Sequence, residues 1–258
     1  MKLAITGKGG VGKTTLTALL AYLFAADGRR VLAVDADPDA NLGNALGVGE
    51  DQLAEIVPIK DMEDLIYERT GARPGTMGGW FALNPKVDDI PDKCALDVRE
   101  NIRLLVMGGI TSGGGGCACP ENALLRELLR HLVVDRDETV LVDMEAGLEH
   151  VGRGTARSVD AFVVVVEPGR RSFQTARAIA RLARDVGVEK VLTVANKVRE
   201  DQAEAVREGV GDLEFLGYLP YDPCAIRADL DGEAAFTACP ALLDAARGIK
   251  DRLEKALL

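Results

Sequence analysis

Short, mostly apolar runs alternate with stripes of helical spacing along the whole chain. The runs cover residues 2–6, 31–34, 103–107, 139–142, 161–166, 190–195 and 213–219. Each is brief and mostly apolar, with Lys2, Arg103, Lys190 and Glu214 at or near the starts of their runs, as a largely buried strand should be. Residues 161–166 are almost pure valine. The segments between them carry the other period. Residues 14–26 place Leu16, Leu19, Leu20 and Leu23 on one helical face, and residues 121–131 do the same with Leu124, Leu125, Leu128 and Leu129. Residues 172–186 predict a further helix, and helices close the chain after Pro220. Strands alternating with helices predict an α/β fold, a single domain over residues 1–258 built on a mostly parallel sheet with helices on both faces.

Two segments depart from the alternation. Residues 60–93 hold Pro74, Gly75, Gly78, Gly79, Pro85, Pro91 and the only tryptophan, Trp80, without a long period. They are expected to form an inserted, partly irregular subregion rather than a second domain. The last helix carries Ile249, Leu253, Ala256 and Leu257 beside Arg247, Lys250, Arg252 and Lys255. A stripe this short and this mixed in charge suits packing on the core better than lying on a membrane.

Composition narrows the class. At 47% hydrophobic content, 258 residues can bury a sizeable core. There is no apolar run of about 20 residues, and Met1 leads straight into a strand, so a soluble, cytoplasmic protein without a membrane partner is expected. The formal charge is −10, from 31 basic and 41 acidic residues, with no basic cluster that could track a phosphate backbone, so no nucleic-acid partner is expected. Five cysteines, an odd count, make structural disulfides unexpected and leave thiols or metal ligands as the default.

The chemistry begins at Gly7-Lys8-Gly9-Gly10-Val11-Gly12-Lys13-Thr14-Thr15, which fits the phosphate-loop pattern G-x-x-x-x-G-K-S/T between a strand and a helix. Glycines leave successive N–H groups and the positive helix end open to phosphate oxygens. Gly9, Gly10, Val11, Gly12, Lys13, Thr14 and Thr15 are therefore the expected nucleotide contacts of a P-loop NTPase, with Lys13 as the point charge and the Thr14 hydroxyl on magnesium. Asp35 and Asp37 follow the second strand, at the edge where α/β proteins bind ligands. Asp39 reads as a turn residue. Asp143 ends a later strand in Asp143-Met144-Glu145-Ala146-Gly147, a pattern in which the aspartate holds magnesium through water and Gly147 lets the backbone swing.

Asn196-Lys197 is similar to the base-reading pair of the GTPases, but Arg199 stands where those proteins need an aspartate, so adenine is favoured and ATP and ADP are the expected ligands. Pro220, ending the last strand, is an expected nucleotide contact as well. Cys117-Ala118-Cys119 precedes Pro120, which suits a first helical position. That puts Cys119 at a helix start, where the dipole lowers a thiol's pKa. Two thiolates do not complete a tetrahedral shell, whereas two copies of the chain would, and four sulfurs suit zinc, nickel, copper(I) or an iron–sulfur cluster. The competing reading is a pair of inert buried cysteines. Cys94, Cys224 and Cys239 are isolated and read as structural, and His131 and His150 as surface or helix-end residues.

With Lys8, the stretch K-G-G-V-G-K-T-T resembles the deviant Walker A family, which includes the MinD and ParA ATPases and the nitrogenase iron protein. The resemblance implies a homodimer in which Lys8 reaches the partner's phosphates, and catalytic roles for Lys8, Lys13 and Asp37. Asp37 would position or activate water, with Asp35 nearer the magnesium shell or Lys13. Adding Gly-Cys-Ala-Cys-Pro-Glu-Asn and Asp-Met-Glu-Ala-Gly-Leu-Glu-His, the chain resembles the CooC-type ATPases. These support nickel insertion into carbon monoxide dehydrogenase, with relatives serving acetyl-CoA synthase. That implies Cys117 and Cys119 as a nickel or zinc site shared across the dimer and one of those enzymes as client. Two rivals stand beside it: an iron–sulfur reductase like the nitrogenase iron protein, and a MinD-like positioning or scaffold ATPase with incidental cysteines.

Overall fold

The computed structural model describes residues 1–75, 80–109, 119–145 and 158–258. Its framework is an eight-stranded sheet in the order β3-β4-β2-β5-β1-β6-β7-β8. The strands are β1 (Lys2–Gly7), β2 (Val31–Asp35), β3 (Leu96–Arg99), β4 (Ile102–Val106), β5 (Thr139–Asp143), β6 (Ala161–Val166), β7 (Val191–Val198) and β8 (Glu214–Pro220). All neighbours pair in parallel except β3, which runs antiparallel along one edge.

Strand residues alternate between two cores, because successive side chains leave a strand on opposite faces. Leu3 and Ile5 enter one core and Ala4 the other. The first core is closed by helix α1 (Lys13–Ala26), through Leu16, Leu19, Leu20 and Phe24, and by the C-terminal helix Pro240–Leu257, through Leu242, Ile249 and Leu253. The second is closed by Pro120–Val134, through Leu124, Leu125 and Leu128, and by Arg170–Asp185, through Phe173, Ile179 and Ala183. Helices thus cover both faces, as expected. The stripe of Ile249 and Leu253 is wholly buried against β8 and α1.

The segment expected to be irregular is partly ordered by that second core. A 3-10 turn at Ile59–Asp61 and helices at Glu63–Thr70 and Ile90–Cys94 send Ile59, Ile66 and Ile90 into it, while Trp80 is fully exposed. The expectation of no disulfide is overturned: Cys224 and Cys239 are joined, with Cα atoms 5.8 Å apart. Two short helices, Pro223–Leu230 and Ala235–Ala238, fold back on each other and bring together cysteines that are 15 residues apart in sequence. Cys239 is completely buried, so the bridge is part of the first core.

Candidate functional site

The C-terminal ends of β1, β2, β5, β7 and β8 meet at one edge, where loops rather than side chains have to fill the space above the sheet. Gly7 ends β1 so close to β6 that a Cβ there would lie 2.5 Å from the Val165 carbonyl oxygen. Gly12 is the residue before α1 and has φ 92°, a left-handed conformation that costs a residue with a side chain. A Cβ on Gly12 would also stand 1.9 Å from Asn196 Nδ2. The loop between them is anchored by Val11, which is fully buried, while Lys8, Gly9 and Gly10 are exposed. Below it opens a cleft of about 670 Å³, lined by Gly9, Gly10, Gly12, Lys13, Thr14, Thr15, Asp37, Asn196, Lys197 and Pro220. Of the expected nucleotide contacts only Val11 does not line it.

Lys13 is 6% exposed, and its ammonium lies 3.5 Å from Asp37 Oδ2. The sheet register sets Asp35 directly beside Asp143, at the last rung of β2 and β5. Asp35 is tied down: Oδ2 accepts from the Leu42 amide at 2.8 Å and Oδ1 from the Asp37 amide at 3.2 Å. Burial pushes its carboxyl up to about 6, against those hydrogen bonds, and the Asp37 charge pushes the same way as burial. Asp37 Oδ1 in turn accepts from the Asp39 amide at 3.1 Å, so the carboxylate that closes the turn is that of Asp37, and Asp39 lines the cleft beside it.

Asp143 is held differently. Both of its carboxylate oxygens are buried and have no hydrogen-bond partner among the described residues. Burial raises its pKa to about 7; the nearby Thr14 hydroxyl opposes this, and the Asp35 charge adds to it. A buried carboxylate left without donors is costly unless something positive or hydrated faces it. With the Thr14 hydroxyl beside it, this pair fits a hydrated magnesium ion bound at the phosphates.

Asn196 and Lys197 lie within β7, and Lys197 takes the left-handed φ of 58°. Both line the cleft, but their hydrogen bonds go to the phosphate loop itself. Asn196 Nδ2 donates to the Val11 carbonyl at 2.9 Å and Lys197 Nζ to the Gly10 carbonyl at 2.7 Å. The Asn196 side-chain oxygen also accepts from the Lys197 amide at 2.8 Å, fixing the kinked strand end. These two residues therefore brace the loop. Tyr221, Asp222, Ala225 and Ile226 also line the cleft beyond Pro220, and the Arg199 guanidinium lies over the Tyr221 ring. Sequence reasoning missed these four; the only signal was their position just after a strand end.

Cys119 is half-buried immediately before the helix Pro120–Val134 and accepts a backbone hydrogen bond from Ala123, so it sits at the helix start as its spacing predicts. Cys117, Gly147 and His150 lie outside the described residues. Among the described residues no three His, Cys, Asp or Glu side chains cluster as a metal site. His131 is near the C-terminal end of that helix, against Asp135 at 3.1 Å. No helix among the described residues is long and apolar enough to cross a membrane.

Comparison with known proteins agrees with this geometry. The model of the CobQ/CobB/MinD/ParA nucleotide-binding domain matches residues 2–235. The carbon monoxide dehydrogenase accessory protein CooC of Rhodospirillum rubrum is 46% identical over 250 residues, 96% of this chain and 94% of that protein. An uncharacterized ATP-binding protein of Methanocaldococcus jannaschii is 48% identical over 236 residues, 90% of either chain. The septum site-determining protein MinD of Pyrococcus horikoshii, solved with Mg-ADP, superposes with a TM-score of 0.69 at 22% identity, covering 99% of this chain and 96% of that one. At that identity the likeness is one of fold.

Proposed function

The chain belongs to the CobQ/CobB/MinD/ParA family of nucleotide-binding ATPases, and from that premise we propose that it is a maturation factor for a nickel enzyme, carbon monoxide dehydrogenase or acetyl-CoA synthase. The observation that carries this reading is the 46% identity to CooC over 96% of the chain. The sequence adds the Cys117-Ala118-Cys119 element. Nickel, or zinc in its place, is cargo.

ATP binding and hydrolysis follow from the loop. Incoming phosphates compete with Asp37 for Lys13, since a polyphosphate offers the ammonium more negative charge than one carboxylate. Once Lys13 turns to the phosphates, Asp37 is released to accept a hydrogen bond from water and orient it for attack on the γ-phosphorus. Magnesium, held by the Thr14 hydroxyl and through water by Asp143, would supply charge neutralisation at the transferred phosphoryl group. Asn196 and Lys197 keep the Val11 and Gly10 carbonyls turned away from the phosphates, leaving the loop's N–H groups to face them.

In the proposed cycle two copies close over ATP, each contributing Lys8 to the other's phosphates. Support for a covered face comes from Ile226 and Leu230, 54% and 80% exposed on the helix at the cleft rim. Closure would bring Cys117 and Cys119 of both copies together as four thiolates, and hydrolysis would part them. The test is metal analysis of the intact anaerobic protein together with activation of nickel-free carbon monoxide dehydrogenase. One zinc or nickel per two chains is expected, lost in Cys117→Ser with Cys119→Ser, which should still bind ATP yet fail to activate the client. Activation by that double variant would sink the reading.

A further inference from the structure

The helix Arg170–Asp185 is basic in an acidic protein. Its five arginines against one aspartate give it +4 in a chain of −10. Arg170, Arg171, Arg177, Arg181 and Arg184 are all exposed, while Phe173, Ala176, Ile179, Ala180 and Ala183 face the core. Elsewhere Arg69, Arg103, Arg130 and Arg136 each sit on a carboxylate. None of the five does so among the described residues. Uncompensated like charges on successive turns repel one another, a cost that a complementary surface would remove.

The stripe borders a groove of about 700 Å³ between this helix and Ala203–Val210, with Arg170, Phe173, Gln174, Arg177, Gln202 and Ala205 among its walls. The helices meet where Gly209 lies on the Phe173 ring, so closely that a Cβ there would stand 2.3 Å from Phe173 Cε2. The groove therefore has an apolar floor and two guanidinium groups on its walls, with Arg177 also donating to the Gly209 carbonyl at 2.5 Å and Glu208 lining the side formed by the second helix. Its upper end is wired to the phosphate loop. Ser172 Oγ accepts from the Glu167 amide at 3.0 Å, Glu167 Oε2 lies 3.6 Å from Lys197 Nζ, and Lys197 donates to the Gly10 carbonyl.

We propose that this groove is the docking surface for an acidic segment of a partner protein, and that docking there acts on ATP turnover through Glu167 and Lys197. Carboxylates of the segment pair with Arg170 and Arg177 in the forked geometry that guanidinium favours, and an apolar side chain rests on Phe173. The apolar floor and its confinement between two helices favour a polypeptide, which can offer an apolar side chain beside its carboxylates, over a nucleic-acid backbone. A membrane would need an apolar face, and along the helix only Leu182 is a large exposed apolar residue.

The test uses the intact protein and a fluorescent peptide of glutamates with leucine at every fourth position, followed by anisotropy in low and high salt and by phosphate release from ATP. The peptide should bind in low salt, and Arg170→Gln with Arg177→Gln should weaken it about tenfold. Saturating peptide should change wild-type ATP turnover about twofold, the size of a weak coupling, and leave the variant's turnover unmoved. Arg171→Gln with Arg181→Gln, away from the groove walls, should bind nearly as wild type does. Equal binding by wild type and the groove variant overturns the proposal. So does tighter binding of duplex DNA or phosphatidylglycerol vesicles, self-association lost with the arginines, or bound peptide that leaves turnover unchanged.

Discussion

Breaking the Cys224–Cys239 bridge tests a feature the sequence argued against, and its size can be worked out. The bond closes a loop of 15 residues. In the chain-entropy picture such a closure removes about 10 cal/mol/K from the unfolded state, or about 3 kcal/mol at room temperature. For a chain of this size each kcal/mol is worth about 2–4 °C in Tm, so opening the bridge should lower Tm by about 6–12 °C. The loss should reach the site. Tyr221, Asp222, Ala225 and Ile226 sit on the tethered side of the cleft, whereas Lys13 and Asp37 come from other segments. Reduction should therefore raise KM for ATP with little change in kcat.

The assay is thermal unfolding of nucleotide-free protein with and without dithiothreitol, beside Cys224→Ala with Cys239→Ala. The reduced wild type and the double variant should fall together, and reductant should do nothing further to the variant. A thiol titration of the unfolded chain before and after reduction gives a second check: Cys224 and Cys239 should react only once the bridge is reduced, adding two thiols to the count. A thiol count that reduction leaves unchanged, or a Tm indifferent to both reductant and substitution, would refute the reasoning.

Lys13→Ala should abolish nucleotide binding measured with a fluorescent ATP analogue. Asp37→Asn should keep it while slowing phosphate release by about 10²–10⁴-fold, the usual weight of a general-base contact; full turnover by Asp37→Asn would remove that residue from the chemistry. Gly12→Ala should destabilise the fold by about 1–3 kcal/mol, the scale of a strained left-handed residue. Gly12→Ala with Asn196→Ala should recover part of the loss in denaturant unfolding, because the clash at 1.9 Å goes while the strain at φ 92° stays. Stability without nucleotide should also depend on pH. Asp35 and Asp143 titrate near 6 and 7 in the folded state, above the 3.8 of the unfolded chain, so their contribution is present below about 3.8 and is lost as pH rises through 6 and 7. Asp143→Asn should flatten the upper part of that decline in Tm between pH 6 and 7, and an unchanged slope would count against the raised value.

How much of this could be read from the chain depends on where each interaction closes. The central strands were legible because a strand buried on both faces is apolar at every position, as in Ala161–Val166, and needs no partner to be recognised. The edge strand Leu96–Arg99 was not, since it is four residues long and only half-covered. Nor were the helices Leu42–Ala45 and Glu50–Glu55, which are too short to show a period. The same division runs through the site. Asp35 and Asp143 could be placed because each ends a strand, and parallel strands end together at one edge. Asn196 and Lys197 could be found in the same way, but not what they do, because their partners are the carbonyls of Val11 and Gly10, backbone groups 185 and 187 residues away that look alike in every sequence.

Gly12 shows why this matters for function. Motif reasoning requires a glycine there for the phosphates, and the structure adds a second requirement from Asn196 Nδ2 standing where a Cβ would be. The phosphate loop is thus shaped by β7 as well as by its own sequence. Whatever moves Asn196, Lys197 or the Glu167 that pairs with Lys197 changes how the loop's N–H groups meet the nucleotide, without touching the nucleotide itself.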